Sequence, residues 1–133
     1  MKPVIFLAGR YRSPEGGSDG IYENLYLMRV IYKHLSKAGF PIVCPNLSSA
    51  FIDGFITDYT EFVEGTKELM SRCDIVVFMP DWELSEGCQA EKEYAERLNK
   101  HIIVLISTNF LSTIEAFGRI NAEFVQQCIS KRG

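Results

Sequence analysis

Residues 73–80 read CDIVVFMP, five apolar side chains in a row between an aspartate and a proline. The run is too short for a helix and rich in β-branched residues. It also lacks the alternation of a strand with one wet face, so it reads as a strand buried on both faces. The same pattern recurs at Val4–Ala8, Ile42–Cys44 and Ile102–Ile106, each time between turn or breaker residues. Helical periodicity fills the gaps. Ile21, Leu25, Met28, Tyr32 and Leu35 form a seam that stops at Gly39, a residue suited to the C′ position. Phe62, Thr66, Leu69 and Cys73 follow a possible capping box at Asp58 and Glu61, and Cys88, Glu91, Ala95 and Leu98 share a third stripe. A second capping box, Ser112 with Glu115, precedes Ile114, Phe117, Ile120 and Phe124. The order is β-α-β-α-β-α-β-α. Alternation with strands of this kind predicts an α/β fold in one domain over residues 1–133, a doubly wound parallel sheet of Rossmann-like or flavodoxin-like type. Ligands of such sheets bind beyond the carboxyl ends of the strands, where the strand order reverses. The loops after strands one and three, GRYRSPEGGSDG (9–20) and PDWELSEG (80–87), are therefore the expected site.

Composition narrows the function. The chain has 133 residues, is 47% hydrophobic and shows no compositional break, which suits a single core. A formal charge of −3 without a basic tract argues against a nucleic acid polymer as partner while leaving small anions open. The apolar start PVIFLAG is short for a secretory segment and no stretch reaches membrane-spanning length, so a cytoplasmic protein without a membrane partner is expected. Cys44, Cys73, Cys88 and Cys128 form no CxxC pair and have no histidine at ligand spacing, so no metal site is expected. The 9–20 loop matches neither GxxxxGK[ST] nor GxGxxG, which disfavours a nucleoside triphosphatase.

Within the two loops, each chemical group carries a bland reading beside a functional one. Arg10 and Arg12 either grip a carboxylate or phosphate or are solvated surface charge. Ser85 suits the N-cap of the third long helix, and Gly87 lets a ligand approach the backbone N–H groups of its first turn. Trp82 either plugs the end of the sheet or offers a face to a planar ligand. Cys88, near a helix start, could have a lowered pKa but lacks a partner base. Glu91 is the anomaly, because a carboxylate on an apolar stripe is costly unless satisfied. It is either anchored by backbone N–H groups or a loop arginine, or it faces the cleft. There the helix dipole would keep it ionised and able to attack an anomeric carbon as retaining glycosidases do.

These residues resemble the nucleoside 2-deoxyribosyltransferase-like superfamily, which includes 2′-deoxynucleoside 5′-phosphate N-hydrolases and a branch of small proteins of unassigned activity. The likeness rests on LAGRYR (7–12), GFPIVCP (39–45), CDIVVFMP (73–80) and above all WELSEGCQAEKEYA (82–95), whose WELSEG form is nearest to that branch. The resemblance implies cleavage of an N-glycosidic bond in a nucleoside or nucleoside 5′-monophosphate, with transfer of the sugar to water or another base and no metal or organic cofactor. It implies Glu91 as nucleophile. Ser85 and the Gly87 backbone would hold the sugar or phosphate and Tyr11 and Arg12 would line the same pocket, beside Gly9 and Trp82 as further candidates from the two loops. Ser112 would reach a neighbouring subunit's pocket in a homo-oligomer, a dimer or tetramer. One departure stands out: the family's aspartate eight residues before Asp74 is Thr66 here, which can hydrogen-bond but carries no charge.

Overall fold

A computed structural model of the chain describes residues 2–13, 17–52, 55 and 59–109. The last predicted helix, with Ser112, lies outside the described residues, as does Asp58 of the first capping box. The strands are β1 (Ile5–Ala8), β2 (Ile42–Val43), β3 (Ile75–Phe78) and β4 (His101–Val104). The long helices are α1 (Gly17–Lys37), α3 (Tyr59–Ser71) and α4 (Glu86–Arg97), with a one-turn helix α2 (Pro45–Ser48) that the periodicity did not predict. All strand pairs are parallel and the order is β2-β1-β3-β4, the flavodoxin-like arrangement. No helix among the described residues is long and apolar enough to cross a membrane.

Burial of β1 and β3 on both faces explains their unbroken apolar sequences. Side-chain alternation sends Ile5, Leu7, Ile75 and Val77 to the α1 face, and Phe6, Ala8, Val76 and Phe78 to the face that holds Met70, Cys73 and Ala95 of the α3–α4 side. The predicted α1 seam is buried at Ile21, Leu25, Met28 and Leu35, and α1 and α3 each depart from the predicted seam at one position. Ile31 is fully buried while Tyr32 is 39% exposed, and Met70 is fully buried while Leu69 is 44% exposed. In each case two adjacent apolar residues both fit a stripe of ordinary width. The docking of the helix then decides between them, which periodicity alone does not encode.

The helix ends follow the expected chemistry. Gly39, at φ +94°, closes α1: its N–H donates to the Ser36 carbonyl and that of Phe40 to the Leu35 carbonyl, the two bonds of a Schellman motif. Asn99, at φ +55°, does the same for α4 through the Glu96 and Ala95 carbonyls. The Ser85 hydroxyl accepts from the Cys88 N–H at 3.2 Å and caps α4, as the sequence predicts. Asp74 works at the far end of the sheet from the strands' carboxyl ends, where its Oδ2 accepts the Val4 N–H at 2.7 Å.

Candidate functional site

The order β2-β1-β3-β4 reverses direction between β1 and β3, so the carboxyl ends of these two strands mark the switch point. Beside it, on the α3–α4 face, is a cavity of about 400 Å³. Its floor is the end of β1, from Leu7 to Gly9; Pro45 and Asn46 of α2 form one side. Phe62, Thr66, Lys67 and Met70 of α3 face Gly87, Ala90 and Glu91 of α4 across it. The walls are mostly apolar, and Lys67 is the one cation among the described lining residues.

Glu91 is turned toward this cavity and largely removed from water. Among the described residues it has no hydrogen bond or ion pair, so neither the backbone anchor nor the arginine anchor is present. Burial raises its pKa from 4.5 to about 7. This corrects the expectation that the helix dipole keeps it ionised. α4 starts at Glu86, so Glu91 lies in the second turn, and the dipole acts mainly on the first. Near neutrality the side chain therefore divides between carboxylic acid and carboxylate.

The buried thiols around it are inert. Cys88 is driven up to about 12 by burial and then by the negative charge of Glu91, despite its place near the start of α4. Cys44 is raised to about 11, mainly by burial, with Glu91 contributing. The possible lowering of the Cys88 pKa is thus reversed, because desolvation of the thiolate outweighs the partial charge of the helix end.

The other expected site residues separate into groups. Gly9 and Gly87 line the cavity. A Cβ on Gly9 would lie 2.7 Å from Met79 Cγ and 2.9 Å from Met28 Sδ, so core packing already requires a glycine there. The Gly9 carbonyl accepts from Asn46 Nδ2 at 2.7 Å, which ties α2 to the end of β1. Ser85, Tyr11, Arg12 and Trp82 are not among the cavity's described lining residues. The Tyr11 hydroxyl accepts from the Phe51 N–H at 2.8 Å, and the Arg12 guanidinium carbon is 5.7 Å from the Tyr11 ring centroid. Trp82 packs on the core with its ring centroid 5.8 Å from that of Phe78, and Lys92 Nζ lies 5.1 Å from its centroid. Arg10 lines a separate hollow of about 280 Å³ with Asn24, Pro80 and Asp81. Ser112 falls outside the described residues.

Three wall residues carried no sequence signal for a site. Phe62 and Met70 look like ordinary core positions of an amphipathic helix. Lys67 looks like one more surface lysine; its Nζ stands 3.5 Å from Glu64 Oε1 and 5.6 Å from the Tyr94 ring centroid. Thr66 donates its hydroxyl hydrogen to the Phe62 carbonyl at 3.1 Å, one turn back in α3.

No curated protein matches the chain. Residues 18–104, from the first turns of α1 to the end of β4, match the family described as a domain of unknown function, DUF4406. Since the match covers most of the sequence, including the switch point's third strand and the helix that carries Glu91, the chain belongs to the DUF4406 family.

Proposed function

We propose that the chain cleaves or transfers at the N-glycosidic bond of a nucleoside or nucleoside 5′-monophosphate, with Glu91 as nucleophile. The observation that carries this reading is a largely buried carboxyl group, without a partner among the described residues, that lines an apolar cavity beside the switch point. Folding alone gives no reason to keep it, since a neutral side chain would avoid the desolvation cost. In the reaction, a Glu91 oxygen bonds to the anomeric carbon as the C–N bond breaks. The bonding pair leaves on the base nitrogen, which takes a proton from solvent water, and an attacking water later returns one to solvent. Water or a second base then attacks the anomeric carbon and releases the carboxylate. Apolar walls suit a sugar and base, and the resemblance of WELSEGCQAE (82–91) to the nucleoside 2-deoxyribosyltransferase-like superfamily adds support. In this reading the protein is a cytoplasmic homo-oligomer.

Only the ionised form attacks, so base release should rise with pH through about 7 and level off above it. Ultraviolet detection of free base from a panel of nucleosides and nucleoside monophosphates tests this. Glu91→Gln should retain ligand binding and lose release; unchanged release would eliminate Glu91 as nucleophile.

A second reading, binding without turnover, is favoured by Thr66. Its hydroxyl is committed to the Phe62 carbonyl and offers no charge where relatives of the resembled superfamily carry an acid. Ligand binding by thermal shift, without base release over hours, would select this reading.

A further inference from the structure

The parallel pairing of β1 with β2 uses the Pro41 carbonyl, which accepts the Ile5 N–H at 2.9 Å, in the register Ile5↔Ile42. That pattern turns the N–H and C=O of Ile42 away from β1, and β2 is the outermost strand of the sheet. Among the described residues neither group has a partner, so the β2 edge is open as far as these residues go. Beside it runs a groove of about 580 Å³, lined by Tyr32, Ile42, Leu47 and Ser48 and by Arg29 and Lys33 of α1.

The charge around this groove is one-sided. From Asn24 to Ile52 the sequence contains no aspartate or glutamate, although the chain as a whole carries −3. Arg29, Lys33 and Lys37 stand at i, i+4 and i+8 on exposed positions of α1, one basic stripe along the helix. Among the described residues none of the three has an ion pair. Short strands and lysines also protect sheet edges from pairing. Protection alone, however, does not call for an apolar groove beneath the charges.

We infer that the β2 edge and the Arg29–Lys33 groove dock an extended acidic segment of another protein, which adds to the sheet through the Ile42 backbone and places its carboxylates against α1. Strand addition supplies main-chain hydrogen bonds, while alternate side chains enter the groove or reach the cations. A second copy of this chain is a poor occupant: an isologous pairing of two β2 edges would bring the basic stripe against itself. A nucleic acid strand would leave the open strand edge unpaired.

The test is fluorescence anisotropy with a rhodamine-labelled octapeptide of alternating glutamate and valine, titrated with the intact protein. Saturable binding is expected. It should weaken about tenfold or more in the double variant Arg29→Glu, Lys33→Glu, both exposed positions, with the melting temperature measured to show that the variant is folded. Glu91→Gln should leave it unchanged, which separates this surface from the cavity. The inference is overturned if a control octapeptide of alternating lysine and valine binds as well, if backbone N-methylation of the acidic peptide has no effect, or if the double variant binds like the wild type. Tighter binding of an oligouridylate would overturn it in favour of nucleic acid. Sedimentation showing wild-type self-association that the double variant lacks would overturn it in favour of a second copy.

Discussion

Replacing Glu91 by glutamine should make the protein more stable, and the gain should depend on pH. The carboxyl group titrates near 4.5 when solvated and at about 7 in the folded chain, because burial penalises the charged form. Its folded pKa is raised, so between these values the native state holds more proton than the unfolded chain. Stability therefore falls as pH rises from about 4.5 through 7, then becomes flat with respect to this group. At ~1.4 kcal/mol per pKa unit, the full loss is ~3 kcal/mol above neutrality. Glutamine fills nearly the same volume, never ionises and escapes this loss. At pH 8 the variant should thus exceed the wild type by up to ~3 kcal/mol, on the order of 10 °C in melting temperature for a domain of this size. At pH 4 the difference should vanish. Parallel urea or thermal melts at the two pH values measure this, and the difference between proteins cancels the other titrating groups. A variant less stable than the wild type at both pH values would refute the reasoning, because it would reveal a carboxylate with a structural partner.

Lys67, rather than Arg12, is a residue of the cavity wall. Lys67→Ala should therefore weaken a nucleoside monophosphate by ~1–2 kcal/mol more than the free nucleoside in calorimetric titrations. A larger selective loss for Arg12→Ala would return the phosphate to the first loop. Gly9→Ala should destabilise the fold by ~1–2 kcal/mol, because its methyl group must displace Met79 and Met28, whose flexible side chains limit the cost; an unchanged denaturation midpoint would show that they move freely. Thr66→Asp should raise base release while leaving affinity nearly constant. If release does not increase, the missing acid is not what limits the reaction.

The parts legible in the sequence were those set by local burial. CDIVVFMP had to be a doubly buried strand, Ser85 had the chemistry of an N-cap, and the stripe through Cys88 and Ala95 turned Glu91 inward. Its proton was not legible, since the balance between dipole and desolvation depends on which helix covers the carboxyl group. Nor was the cavity wall. Phe62, Lys67 and Met70 meet α4 only because of the strand order, which no local pattern records.

Once that order is known, the handedness of parallel crossovers places the wall. The step from β1 to β2 runs one way across the sheet, while β2 to β3 and β3 to β4 run the other way. Right-handed connections then put α1 on one face and both α3 and α4 on the opposite face. The β2-to-β3 connection also passes over β1, which sets α3 beside α4 at the ends of the two central strands. The space between these helices opens at the switch point, and Glu91 of α4 lines it with Thr66 and Lys67 of α3. Inward-facing carboxyl and cavity therefore have separate origins: helical periodicity supplies the first and sheet topology the second. Since neither requires the other for folding, packing does not account for an ionisable group at their intersection, without a partner among the described residues and with its pKa raised toward neutrality by burial.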